Sequence, residues 1–317
     1  MRMNLNRART MRLLAMAACL GIAACAARAS EETARVTSPS AEGEGVGILL
    51  MAHGGSAEWN ESVSGAVASL RERMPVTVAF GMADPKTLEA ALDTLADGGV
   101  ERVAVVRLFI SGESFLDQTL YLLGLREAPP AQFVVHGEQH GSSGGGQAPI
   151  AHDLEVITHE EGLARWSGVA RILMDRAGSL SRDVSRESVL IVAHGMATDE
   201  DNGALLAAME AAAEGLRKEG YFSVAVETLR EDWPEERAAA EVRIRSRVEQ
   251  ESAAGRLVLV VPLRLSGFGP YETVLEGLSY ARGQALLPHA GITVWIEETA
   301  AKLFCREGWS NPLRSCR

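Results

Sequence analysis

Two stretches of the chain are apolar at nearly every position and end on the same two residues: Gly47–Gly54 reads GILLMAHG and Ser188–Gly195 reads SVLIVAHG. An unbroken apolar run of this length, closed by a turn residue, predicts a strand buried on both faces of a parallel sheet. A helical pattern follows each run, at Glu58 to Met74 and at Asp199 to Glu219. Second strands are predicted at Pro75 to Phe80 and Phe222 to Glu227, and second helices at Pro85 to Ala96 and Trp233 to Ser252. Third strands fall at Arg102 to Ile110 and Arg256 to Leu265, where VVRLFISG (Val105–Gly112) matches VVPLRLSG (Val260–Gly267). Each half ends with a helix and a short last strand, at Gln132 to Val135 and at Gly291 to Ile296. Strands alternating with helices in this way indicate βαβ units, and the order is one unit written twice.

The segments that break the pattern set the boundaries. Glu138 to Pro149 (EQHGSSGGGQAP) has no period and is rich in glycine, so it predicts a loop insert. Glu161 to Leu180 reads as an amphipathic helix bridging the halves. The expected division is a first lobe over 46–155 that carries the Gly/His-rich insert, a second lobe over 156–300, and a tail over 301–317.

Composition changes the picture at the ends. Residues 1–29 hold five arginines and no acid, and an apolar run from Leu13 to Ala24 ends in small residues, the pattern of an export signal. Cleavage after Ala27-Arg28-Ala29 and a lipobox at Ile22-Ala-Ala-Cys25 are both readable there. The first predicts a soluble periplasmic protein. The second predicts a lipoprotein whose only membrane attachment is Cys25. Residues 30–45, including TSPSAEGEG, read as a flexible tether. Loss of the signal takes the formal charge from −11 to −16, which argues against nucleic acid or an anionic lipid surface as partner. Beyond the signal only Cys305 and Cys316 remain, a pair suited to one disulfide closing a short loop in an oxidising compartment.

Chemistry is expected where the strands end, because ligands of open α/β sheets bind there. His53 and His194 close the first strand of their halves, each followed by glycine, and a neutral imidazole is a common ligand of divalent metals. Their repetition in both halves weighs against a merely structural strand cap. The loop after the third strand converges as well: Gly112-Glu113-Ser114 and its acid Asp117 match Gly267-Phe268-Gly269 and Glu272. Carboxylates there would orient an imidazole, bind a metal or take up protons, with Glu113 at the loop tip the sharpest candidate. His136, His140, His152 and His159 gather around the insert and read as solvated loop histidines, and His289 has no visible partner. No glycine-rich phosphate loop, dinucleotide fingerprint or nucleophile elbow occurs, so no nucleotide cofactor is expected.

These motifs resemble the class II tetrapyrrole chelatases, in particular the sirohydrochlorin cobaltochelatase branch. The likeness covers roughly residues 46–135 and 187–297. It is most specific at FGMADPKTLEAAL (Phe80–Leu92) and GVERVAVVRLF (Gly99–Phe109). The resemblance implies two flavodoxin-like lobes, each with a mostly parallel sheet of about four strands flanked by helices. It further implies insertion of a divalent metal substrate (cobalt, iron or nickel) into a tetrapyrrole such as sirohydrochlorin. His53 and its repeat mate His194 would then bind the metal. Glu113 would join them in catalysis, with Ser114, Asp117 and Glu272 lining the ligand site. Two departures stand out. The family's second histidine, in G-x-H after the third strand, is Ser114 in one half and Gly269 in the other, and His53-Gly-Gly-Ser56 replaces the usual His-Gly-Ser-Arg. They leave open a second function, a non-catalytic carrier of metal or tetrapyrrole on the same scaffold.

Overall fold

Alternate residues of the first strand, β1 (Val46–Ala52), face two different cores, and this alternation explains the architecture. The structure is a computed structural model that describes residues 45–131, 133 and 147–316. The export signal with Cys25, nearly all of the tether, most of the insert, His136 and His140 lie outside the described residues. After β1 come α1 (Ala57–Ala66), α2 (Ala68–Arg71), β2 (Val76–Phe80), α3 (Pro85–Asp97), β3 (Arg102–Leu108), α4 (Leu116–Leu122) and β4 (Glu155–Thr158). The second half runs α5 (Val169–Gly178), β5 (Glu187–Ala193), α6 (Asp199–Lys218), β6 (Ser223–Thr228), α7 (Pro234–Ala253), β7 (Leu257–Pro262), α8 (Tyr271–Val274), β8 (Ala281–Arg282) and α9 (Ala290–Glu307).

The strands form two parallel four-stranded sheets in the same order, β2-β1-β3-β4 and β6-β5-β7-β8. The duplicated unit is therefore a duplicated sheet. Ile48, Leu50 and Ala52 of β1 point inward, as do Val189, Ile191 and Ala193 of β5, into one core shared by both sheets. Leu49 and Met51 point outward to a core under α3 and α4; Leu190 and Val192 point outward to one under α7 and α8. Because every position of β1 and β5 is covered, no polar alternation survives in either run.

The shared inner layer departs from the expected boundaries. Gly291–Ile296, expected to be a strand, forms the first turns of α9. Ile292, Trp295, Ile296, Ala300 and Phe304 recur at helical spacing and are buried in the shared core. The fourth place in the second sheet goes instead to the two-residue β8. α9 also crosses the expected border at residue 300, and Trp309 and Leu313 of the tail are buried in the same core. In the first sheet the fourth place belongs to β4, so the expected cut near 155 falls on its first residue. Of the strand expected at 132–135 only Phe133 is described, and it is buried in the outer core.

The bridging helix is shorter than the pattern suggested. A 3₁₀ turn at Leu163–Arg165 precedes α5, and the break lies at two glycines. A Cβ on Gly162 would lie 2.4 Å from the Gly112 amide, and one on Gly168 would lie 2.2 Å from the Trp166 ring. The tail is closed by the Cys305–Cys316 disulfide. Arg73 of the first lobe grips that loop, donating to the Leu313 carbonyl at 2.7 Å and pairing with Glu297 at 3.1 Å.

Candidate functional site

His53 and His194 stand at equivalent points, just past the carboxyl ends of β1 and β5, and their rings are held alike. His53 Nδ1 lies 2.7 Å from the carbonyl of Gly54, and His194 Nδ1 lies 3.0 Å from that of Gly195. A carbonyl oxygen only accepts, so Nδ1 is the donor in both rings and Nε2 is turned away from the backbone. Each ring has a tryptophan beside it, Trp59 at 6.5 Å and Trp233 at 6.0 Å between centroids. The turn below is shared too: Gly54 and Gly195 have φ of +82° and +92°, and Asn60 and Asn202 accept from the amides of Gly55 and Met196. A side chain on Gly195 would strike Arg230 at 2.8 Å, so glycine is required there for space as well as for φ.

Beyond this frame the two sites differ in kind. In the second lobe Nε2 of His194 faces two carboxylates, Asp232 Oδ2 at 3.2 Å and Glu231 Oε2 at 3.9 Å. The other oxygen of Glu231 accepts from the Arg264 guanidinium and, at 3.2 Å, from the Tyr271 hydroxyl. Burial works against the Arg264 charge, but Glu231 and Tyr271 more than offset it and hold the guanidinium more firmly protonated than usual. Burial, aided by Glu231, pushes the Tyr271 hydroxyl well above the ordinary phenol range, so it keeps its proton and donates it to Glu231. Arg230, in the left-handed region at φ +55°, crosses beneath the turn to Asp199 at 2.5 Å.

The first lobe has largely apolar residues at the matching positions. In strand register Phe80 stands where the second lobe has Thr228, so Gly81-Met82-Ala83 follow in the place of Leu229-Arg230-Glu231, and Phe109 takes that of Arg264. Trp59 meets Phe80 edge-on at 6.1 Å, and Phe109 packs on Phe115 at 5.4 Å. Asp84, one residue on, is used to cap α3, accepting from the amides of Lys86 and Thr87.

The acids expected from the sequence are not gathered around the histidines. Asp117 pairs with Arg126, and Glu272 pairs with Arg282 at 2.9 Å, so the two repeat mates are committed to arginines of their own lobes. Glu113 is exposed and lines a cavity of about 300 Å³ between the lobes, with Glu160, Glu161 and Asp201 on its other walls. Neither His53 nor His194 lines that cavity. Ser114 contributes its backbone carbonyl, which accepts from Arg107. Among the described residues no group of three or more His, Cys, Asp or Glu side chains is arranged to hold a metal ion.

Arg107 is a residue that sequence reasoning passed over. It sits inside the apolar run of β3, where the second lobe has Pro262, and only 1% of it is exposed. Its guanidinium donates to the carbonyls of His159, Gly112 and Ser114, tying the loop after β3 to the loop after β4. Burial draws its pKa down to about 10, against the pull of Glu113 and Glu160. His159, expected to be solvated, instead accepts from the Arg107 amide at 2.8 Å and meets Trp295 edge-on at 5.5 Å. Burial first, and the Arg107 charge second, hold it neutral with a pKa of about 4. His289, expected to lack a partner, caps α9 through Gly291 and reaches Asp175 at 3.2 Å. His152 contacts the Leu154 carbonyl at 3.1 Å.

Comparison with known proteins agrees with this frame. Residues 47–116 match the CbiX family model. No curated protein matches the chain in sequence. SirB from Bacillus subtilis, solved with Fe3+, superposes with a TM-score of 0.58 at 14% identity, covering 84% of this chain and 98% of its own. The sirohydrochlorin chelatase SirB from Bacillus subtilis subspecies spizizenii, in complex with cobalt, gives 0.55 at 11% identity over 84% and 98% of the two chains. CbiX, described as the terminal enzyme of siroheme biosynthesis in denitrifying bacteria, gives 0.50 at 15% identity over 80% and 97%. The chain thus carries a CbiX-family segment in its first lobe and shares the fold of these solved chelatase structures.

Proposed function

We propose that this protein inserts a divalent metal ion (cobalt, iron or nickel) into a tetrapyrrole of the sirohydrochlorin class. One observation carries the reading: both strand-end histidines give their Nδ1 proton to the carbonyl of the next residue and leave Nε2 open. A metal-binding histidine is typically oriented in this way, its second nitrogen fixed by a backbone acceptor. Insertion needs few protein ligands, because the four ring nitrogens become the metal's final donors. The enzyme has only to hold the ion, present it to the ring and take up two pyrrole protons. Carboxylates beside the open nitrogen and on the interlobe cavity suit the last task. The protein would work outside the cytoplasm, free in the periplasm or tethered at Cys25, on a ring available there; fractionation of cells making the full chain tests that placement.

A carrier on the same scaffold is favoured by one specific observation, the absence of the family's second histidine at both Ser114 and Gly269. Multiple turnover separates the two. Purified protein is mixed with excess sirohydrochlorin and cobalt, and the absorption change of the metallated ring is followed. Product beyond one equivalent, lost in the double variant His53→Ala/His194→Ala, is the expected result. Saturation at one equivalent would establish the carrier. No response with cobalt, iron or nickel would overturn both.

A further inference from the structure

We infer that the open edge of β4 is a docking groove for an extended peptide in which apolar and acidic residues alternate. The argument starts from the sheet edges, which are β2 and β4 in the first sheet and β6 and β8 in the second. An exposed edge is a template for pairing, and folded proteins blunt it. Three of these four are blunted. Arg71 donates to the Val76 carbonyl of β2 at 3.3 Å, Arg217 donates to the Val224 carbonyl of β6 at 3.2 Å, and β8 is only two residues long. Among the described residues β4 has neither device. In a parallel pair, alternate residues turn both backbone groups toward the neighbour. The Glu155 amide donates to the Glu101 carbonyl at 2.9 Å, so Glu155 and Ile157 face β3. Val156 and Thr158 therefore turn their N–H and C=O groups outward, where no described residue bonds to them.

Both residues are buried, and both line a cavity of about 730 Å³, large enough for a ligand. Buried backbone groups require partners, and an added strand supplies donors and acceptors at the right spacing. The walls then select its side chains, which alternate between the two faces of the sheet. On the outer face, under α4, they meet Leu120 and the exposed Leu125, which suit apolar groups. On the inner face they meet Trp166, Trp295 and Lys302. Lys302 is exposed and forms no ion pair with a described residue. Glu298, one turn before it, is already taken by the Trp166 indole at 2.9 Å and by Arg314 at 3.1 Å. An acidic side chain on that face supplies the missing charge. The groove is concave, so a second copy, with its own β4 equally recessed, meets it only at the rim. Neither strand-end histidine lines this cavity, so the inference is independent of the metal chemistry proposed above.

A terminally blocked heptapeptide of alternating valine and glutamate is the probe, added to the purified protein. Calorimetry gives its affinity, and amide hydrogen exchange gives its place. Binding should slow exchange at Val156 and Thr158 by about tenfold or more. The same peptide with its amides N-methylated should not bind, because strand addition needs them. Lys302→Glu should weaken the valine–glutamate peptide by about fivefold and strengthen a valine–lysine peptide by a similar factor. Lys302 is exposed, and circular dichroism confirms that the variant is folded. Equal binding of the methylated peptide, or no binding of the unmethylated one at millimolar concentration, would overturn the inference. Full protection of Val156 and Thr158 without peptide would overturn it too, since the chain itself or a second copy would then cover the edge.

Discussion

The two lobes hold their strand-end histidines in the same backbone frame and surround them with opposite chemistry. Positive-φ glycine, fixed Nδ1 and neighbouring tryptophan recur in both. Around His194 stand Asp232, Glu231, Arg264 and Tyr271; on the His53 side Ala83, Phe109 and Leu116 are apolar and Asp84 is spent on capping α3. The frame is set by strand burial and turn geometry, which the fold needs wherever a strand of this kind ends. The side chains beyond it bear no such load and are free to diverge. A duplicated scaffold can thus keep two identical mounts and charge only one.

The largest effect that would sharpen this contrast is in β3. Arg107→Met should destabilise the protein by about 3–5 kcal/mol in urea unfolding, because three part-buried carbonyls lose a charged, buried donor. The second lobe, with Pro262 in that place, has no equivalent to lose. Acid should strike the same region. His159 is neutral and half-buried, with a folded pKa of about 4 against about 6.5 unfolded. Below pH 6.5 the unfolded chain binds a proton that the folded chain refuses. Stability is therefore complete above that pH and falls by up to about 3 kcal/mol as pH drops toward 4. His159→Gln, which keeps an acceptor for the Arg107 amide, should flatten that slope, and an unchanged slope would refute the assignment.

A smaller effect tests how the lobes are joined. Reducing Cys305–Cys316, a closure over 11 residues, should cost about 2–3 kcal/mol and lower Tm by several degrees. Arg73→Ala in the reduced protein should add little, since both act through the same tail loop.

What the sequence could disclose follows from the same division. Strands buried on both faces leave unbroken apolar runs, so the two sheets, their repeat and the strand-end histidines were legible, as was the cysteine pair. The repeat that exposes His53 and His194 hides Glu231, whose mate in strand register is Ala83, and Asp232, whose counterpart Asp84 is spent on a helix cap. Arg107 was hidden because a single charge inside VVRLFISG does not disturb the strand pattern. Gly291–Ile296 misled because Ile292, Thr293, Val294 and Ile296 are β-branched, and the helical period emerges only when Ala300 and Phe304 are included. β8, two residues long, has no pattern to read.

Anomalous diffraction from crystals of the protein soaked in cobalt tests the two histidine mounts most directly. A peak about 2.1 Å from the Nε2 of a strand-end histidine is expected. A peak at neither histidine would contradict the account.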